Sequence, residues 1–214
     1  MPNFDTMQAA VAEMLLQINT IKVQPSNPFT WASGWKAPIY CDNRKILSYP
    51  EARTFIRDCF VEVITEKYRG VEVIAGVATG AIAHGALVAE KLGLPFIYVR
   101  SEPKSHGLEN LIEGDLLPGQ KVVVVEDLVS TGGSSLKAAA AVQSNGGDVM
   151  GMVAIFTYEF PKARENFAQA GVELTTLSRY QVLIERALAA GEITPGQMES
   201  LMRWREDPAN WGRS

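Results

Sequence analysis

Met7, Val11, Met14, Leu15 and Ile18 recur at helical spacing and predict an N-terminal amphipathic helix. The pattern then breaks. Residues 22–48 carry Pro25, Pro28, Gly34 and Pro38 among Phe29, Trp31, Trp35 and Tyr40, too aromatic for a linker. They predict a turn or short hairpin, with "PIYCD" as a strand. Pro50 suits a first helical position, so a second helix is expected from about 49 to 68, with Phe55, Ile56, Cys59, Phe60 and Val63 as its apolar stripe. From there strand and helix patterns alternate. Strands are expected at 71–78, 94–100, 120–127 and 148–158, with a short edge strand at 172–177. Helices are expected at 80–92, 134–145 and 161–170, with Gly93, Gly146–Gly147 and Gly171 as stops. The polar stretch 101–115 shows no apolar period. Ser178 is expected to cap a further helix to Ala190. Thr194-Pro195-Gly196-Gln197 has capping-box spacing before a last short helix over 198–205. Four consecutive valines, Val122–Val125, imply burial on both faces, as in a parallel sheet. The alternation predicts an α/β fold with a mostly parallel sheet flanked by helices.

Composition narrows the function classes. With 47 % hydrophobic and 21 % charged residues in a 214-residue chain, a disordered or fibrous protein is excluded and one domain is expected. Twenty Lys and Arg against 24 Asp and Glu leave a net charge of −4, so no global field for nucleic acid exists and an anionic ligand needs a local site. Cys41 and Cys59 are too few for a disulfide framework, and a reduced, cytoplasmic protein is expected. The opening "MPNFDTMQAA" lacks a basic stretch followed by an apolar core, so no signal peptide is expected. No apolar run reaches the roughly 18 residues of a membrane span.

The chemistry concentrates in "VVVVEDLVSTGGSS", residues 122–135. A buried strand ends in Glu126 and Asp127, and a loop of small and hydroxyl residues opens directly into a helix. Helix N-termini present free N–H groups and the positive end of the dipole. Gly132 and Gly133 allow close approach, while Ser130, Thr131, Ser134 and Ser135 add hydroxyls. This is a phosphate cradle. Two carboxylates beside a phosphate must hold something neutral or cationic, such as a sugar diol or Mg²⁺. The spacing therefore points to a ribose 5-phosphate. A Walker loop is excluded, since no lysine follows the glycines and Gly85 is followed by Ala86–Leu87.

This segment resembles the phosphoribosyl pyrophosphate (PRPP) signature of type I phosphoribosyltransferases. The resemblance implies that fold, with a small N-terminal hood formed mainly by about 20–48 on a core of about 49–190. It also implies substrate contacts from Glu126 through Ser134, including Leu128 and Val129, and Mg²⁺ held mainly through substrate and water. "YVRSEPKSHG" (98–107) is similar to the catalytic loop of orotate phosphoribosyltransferases, with Arg100, Lys104 and His106 as catalytic cations beside Asp127. In that family the loop reaches the partner subunit's site, which implies a homodimer. "FTWASGWKAPIYCDNRK" (29–45) resembles the family's hood over orotate, and "GVATGAIAHG" (76–85) stands where its pyrophosphate loop lies. Lys22, Tyr40, Thr79, Gly80 and Arg44 are carried over as substrate-binding candidates. The chain departs from the family at three places. Ser101 follows Arg100 where a second cation is common. Thr79-Gly80 stands where a lysine is common. "IFTYEFPKAR" has no counterpart of the arginine that reads the orotate carboxylate, so Arg44 is the candidate for that charge, ahead of Lys36, Lys45 and Arg164. The function implied is transfer of ribose 5-phosphate from PRPP to orotate. The alternatives are a purine phosphoribosyltransferase, with Phe156 or Tyr158 reading the base, and a non-catalytic PRPP-sensing regulator. His84, in the alanine-rich "AIAHGALVAE", is read as structural.

Overall fold

A computed structural model describes residues 4–31, 34–102 and 111–211. The chain opens with α1 (Phe4–Gln17) and then crosses a segment of short pieces: β1 (Ile21–Val23), β2 (Phe29–Thr30), β3 (Lys36–Ala37), β4 (Ile39–Cys41) and a 3₁₀ turn over Asn43–Ser48. β1 pairs antiparallel with β4, and β2 with β3. The core follows as α2 (Pro50–Lys67), β5 (Val73–Val77), α3 (Ile82–Leu92), β6 (Phe96–Val99), β7 (Ile112–Glu113), β8 (Lys121–Val129), α4 (Gly133–Ser144), β9 (Asp148–Thr157), α5 (Pro161–Ala170) and β10 (Leu174–Arg179). Helices α6 (Tyr180–Ala189) and α7 (Pro195–Glu206) close the described chain.

Six strands form one sheet in the order β10-β9-β8-β5-β6-β7, parallel except for the β6–β7 pair. From β5 the chain steps one way to β6, then returns to place β8 on β5's other side. Right-handed crossovers running in opposite directions put their helices on opposite faces. Accordingly α3 packs with α2 on one face and α4 with α5 on the other. Val122–Val125 are completely buried between these layers. The reversal between β5 and β8 leaves a crevice at their carboxyl ends, the usual ligand position in open α/β sheets.

Three local expectations change. β8 runs on past Glu126 and Asp127 to Val129, because Leu128 and Val129 pair with Phe156 and Thr157 of β9; the strand continues two residues beyond the acids instead of ending at them. Ser178 is no helix cap. It is a fully buried strand residue paired with Phe156, and its hydroxyl donates to the Gln8 carbonyl at 2.9 Å. The polar stretch after β6 contains the two-residue strand β7, too short to show a period. The capping box at Thr194 and Gln197 is present, and Gly93 and Gly171 end their helices with positive φ.

Candidate active site

The crevice between β5 and β8 holds a cavity of about 470 Å³ lined by Cys41, Asp42, Arg44, Thr79, Gly80, Asp127, Leu128 and Ser130–Ser134. Sequence-distant segments meet here. The end of β5 supplies Thr79 and Gly80, the end of β8 supplies Asp127 and the hydroxyl loop, and β4 with its following turn supplies Cys41, Asp42 and Arg44. A larger cavity of about 980 Å³ shares Gly133 and Ser134 and extends over Arg100, Ser101 and Lys137.

Asp127 sits directly against the chain at Gly80. A Cβ there would overlap the Asp127 carboxyl group, so no side chain fits while Asp127 holds this position. Gly132 is the N-cap of α4, with φ +82, a conformation that suits glycine. Gly133 differs: a Cβ would meet nothing within 4 Å, because its α-carbon faces the cleft. The first turn of α4 thus opens into the crevice with its N–H groups lacking helical partners. The loop before it is braced on both sides. Ser130 Oγ accepts from the Thr131 N–H at 2.6 Å, and Asn166 of α5 donates to the Thr131 carbonyl at 2.8 Å.

Glu126 and Asp127 have different surroundings. Glu126 is 4 % exposed; its Oε1 accepts from the Asp127 N–H at 2.9 Å and its Oε2 from Ser135 Oγ at 2.8 Å. Both oxygens brace the strand–helix junction, and Glu126 does not line the cavity. Burial, with Asp127 beside it, raises the Glu126 carboxyl above the ordinary range. Burial raises Asp127 as well, which makes it the better proton acceptor of an otherwise weak type. Across the crevice Arg44 Nε donates to Asp42 at 2.7 Å, and that bond holds the Asp42 carboxyl below its usual value.

The remaining candidates divide. Tyr40 is 41 % exposed on β4, 5.6 Å from the Phe29 ring, next to cavity-lining Cys41. Lys22 pairs with Tyr40 in register but is exposed outside the lining. Arg100 Nη1 donates to Glu113 at 3.3 Å and faces the larger cavity. Val129 is buried, and its carbonyl accepts from the Tyr158 N–H. Lys36 donates to Thr30, Lys45 is exposed, and Arg164 lines a separate cavity with Glu159 and Arg179; none of the three lines the crevice. Lys104 and His106 lie outside the described residues. Among those described, no group of three or more His, Cys, Asp or Glu is placed to hold a metal.

Asn43 is a functional candidate that the sequence did not reveal. It is 1 % exposed, donates through Nδ2 to the Asp127 carbonyl at 2.6 Å, and accepts from the Cys41 thiol at 3.3 Å. It ties the N-terminal segment to the acidic strand 84 residues away. Nothing in "CDNRK" separates such a buried amide from an ordinary turn asparagine. His84 is buried beside the Asn43 backbone with no partner for Nε2, and burial lowers its pKa to about 4.

A cleft at a sheet reversal, with an acid seated against a glycine and an open helix terminus beside it, narrows the class. The phosphoribosyl transferase domain family matches residues 44–170, and the chain belongs to that family. Within it, the chain stands among the orotate phosphoribosyltransferases. It is 59 % identical over 207 residues to that protein from Porphyromonas gingivalis, covering 97 % of this chain and 99 % of the relative. The fold resembles the crystal structure of orotate phosphoribosyltransferase from Aeropyrum pernix, with TM-score 0.75 and 29 % identity over 86 % of this chain and 99 % of that one. It also resembles the Mycobacterium tuberculosis H37Rv enzyme in complex with PRPP, with TM-score 0.65 and 27 % identity over 83 % of this chain and 98 % of that one.

Proposed function

We propose that the chain transfers the ribose 5-phosphate of PRPP to orotate, giving orotidine 5′-monophosphate and pyrophosphate. One observation carries this reading: Asp127 is seated against Gly80 at the sheet reversal, one loop away from the open N-terminus of α4. That loop would take the 5′-phosphate on its N–H groups and hydroxyls, with the ribose diol on Asp127. The bond from C1′ to pyrophosphate breaks with its electrons leaving on oxygen, and the deprotonated ring nitrogen of orotate forms the new bond. C1′ develops positive character, so a half-buried carboxylate near the ribose and cations near the leaving group both lower the barrier.

Asp127 and the neighbouring hydroxyls suit a Mg²⁺ ion that arrives with PRPP, better than a resident metal needing its own cluster of ligands. Bound there, it would neutralise the leaving pyrophosphate. Arg100 and Lys104, with His106, are assigned to the same charge, acting at the site of a partner subunit. The segment from about 20 to 48 is the hood over orotate, and Arg44 is the cation it contributes to the cleft lining. Two unbridged cysteines fit a cytoplasmic location. A purine reading is disfavoured because Phe156 and Tyr158 are buried in an aromatic cluster with Trp31, Phe160 and Trp204, away from the cavity lining. Incubation with PRPP, Mg²⁺ and orotate, uracil, adenine or hypoxanthine in parallel tests the proposal. Pyrophosphate release is expected with orotate alone. Release with a purine and none with orotate would overturn it.

A further inference from the structure

Helix α7 lies outside the cleft, yet two of its side chains hold the segment that borders it. The Trp204 indole N–H donates to the Lys36 carbonyl at 3.2 Å, and Gln197 Nε2 donates to Ser26 Oγ at 3.2 Å. Trp204 is completely buried, edge-on to Trp31 with ring centroids 5.6 Å apart and an interplanar angle of 87°. Phe160 and Tyr180 also pack on it, at 5.2 and 5.5 Å. Trp31 continues the connection, because its own indole N–H donates to the Ile39 carbonyl at 3.2 Å. Two touching indoles therefore grip two carbonyls, one on β3 and one on β4, in the stretch that leads straight to Tyr40, Cys41 and Arg44.

The grip matters because β2 and β3 have two residues each and cannot hold their own geometry in isolation. Packing alone would accept any large apolar ring at 204. A tryptophan there brings a buried N–H that must find an acceptor. The acceptor is the backbone of the cleft-bordering segment, 168 residues away, rather than the core beneath.

We propose that Trp204 is a positioning residue for the nucleobase side of the cleft, setting β3 and β4 and through them Tyr40 and Arg44. This rests on the reading of that segment as the cover over orotate. The phosphate and ribose side is built from β5, β8 and α4, so the effect falls on one substrate.

Steady-state kinetics with both substrates varied provides the test. Trp204→Phe keeps a ring and loses the donor. The KM for orotate is expected to rise about three- to tenfold, the worth of one hydrogen bond, and the KM for PRPP to stay within about twofold. Trp204→Ala should raise the orotate KM further. Leu201→Ala, buried on the same helix, should lower Tm with the ratio of the two KM values unchanged, which separates positioning from stability. Tyr40→Ala tests the underlying reading and should raise the orotate KM by itself. A normal orotate KM in Trp204→Phe, or equal rises in both KM values, with Tyr40→Ala behaving as expected, overturns the positioning role alone. No change in Tyr40→Ala overturns the reading of the cover and the proposal together.

Discussion

The two sides of the crevice are built on different principles. One side is nearly contiguous. Val122 to Ser135 runs through strand, acid, loop and helix start, and most of its bracing is local, Glu126 by the Asp127 N–H and Ser135 and Thr131 by Ser130, with Gly80 against Asp127 and Asn166 on the Thr131 carbonyl as the two distant supports. The facing side is assembled from afar. β2, β3 and β4 are two or three residues long and take their positions from Trp204, from Trp31, and from Asn43 on the Asp127 carbonyl. A side built from local contacts keeps its shape wherever its segment folds. A side built from distant contacts is adjustable, and mutations far from the chemistry reach it. That difference suits the proposed arrangement, with a fixed phosphate sugar on one side and the base on the other.

Breaking the contiguous side should have the largest effect. Gly80→Val places a Cβ where the Asp127 carboxyl sits, and Gly133→Val places one in open cleft space. Both should weaken PRPP binding by on the order of 10²-fold or more in calorimetry, since a misplaced acid or an occupied cradle removes the anchoring contacts. Gly133→Val should keep a wild-type Tm, whereas Gly80→Val should lose some. PRPP binding at wild-type strength in both would dissolve the assignment.

A subunit-mixing experiment extends the comparison across the proposed dimer. Lys104→Ala and Asp127→Asn homodimers should each retain about a hundredth of the wild-type rate. Combined in equal amounts under subunit exchange, they should recover to about a quarter, because half the dimers pair both lesions at one site and leave the other intact. A flat mixing curve with exchange shown independently would refute sharing of the loop.

Asn43→Ala cuts the tie between the two sides. It leaves the Asp127 carbonyl and the Cys41 thiol without this partner in a buried place, so kcat/KM for PRPP should fall about tenfold and stability by about 1–3 kcal/mol. A wild-type rate at reduced stability would make Asn43 a purely structural residue. The smallest effect concerns pH. Burial raises the Glu126 carboxyl above its ordinary value of 4.5, so the folded protein holds that proton more tightly than the unfolded chain. Its contribution is complete below about pH 4.5 and is lost as pH rises through the raised value. Glu126→Gln should therefore raise Tm by about 2–6 °C at neutral pH and converge on wild type in acid. An equal Tm difference at all pH values would contradict this.

How much was legible in the sequence follows the same division. The valine run, the acid pair, the glycine loop and the alternation of elements are local signals, and the core elements lie where those signals put them. Even there, β8 proved longer and Ser178 turned out to be a strand residue, because pairing with Phe156 on β9 decides both and pairing is not local. Glu126 and Asp127 look equivalent as neighbours in sequence. Strand alternation sends one into the interior and the other into the cleft. Asn43, Asn166 and Trp204 were invisible as functional residues, since each acts on a backbone carbonyl between 35 and 168 residues away.

The most direct test of the whole account is a crystal structure with orotidine 5′-monophosphate bound. The phosphate is expected on the N–H groups of Ser130–Ser134, the ribose hydroxyls on Asp127, and the orotate ring beneath Tyr40 with its carboxylate toward Arg44. A phosphate bound elsewhere, or a base turned away from the β4 side toward the larger cavity over Lys137, would contradict it.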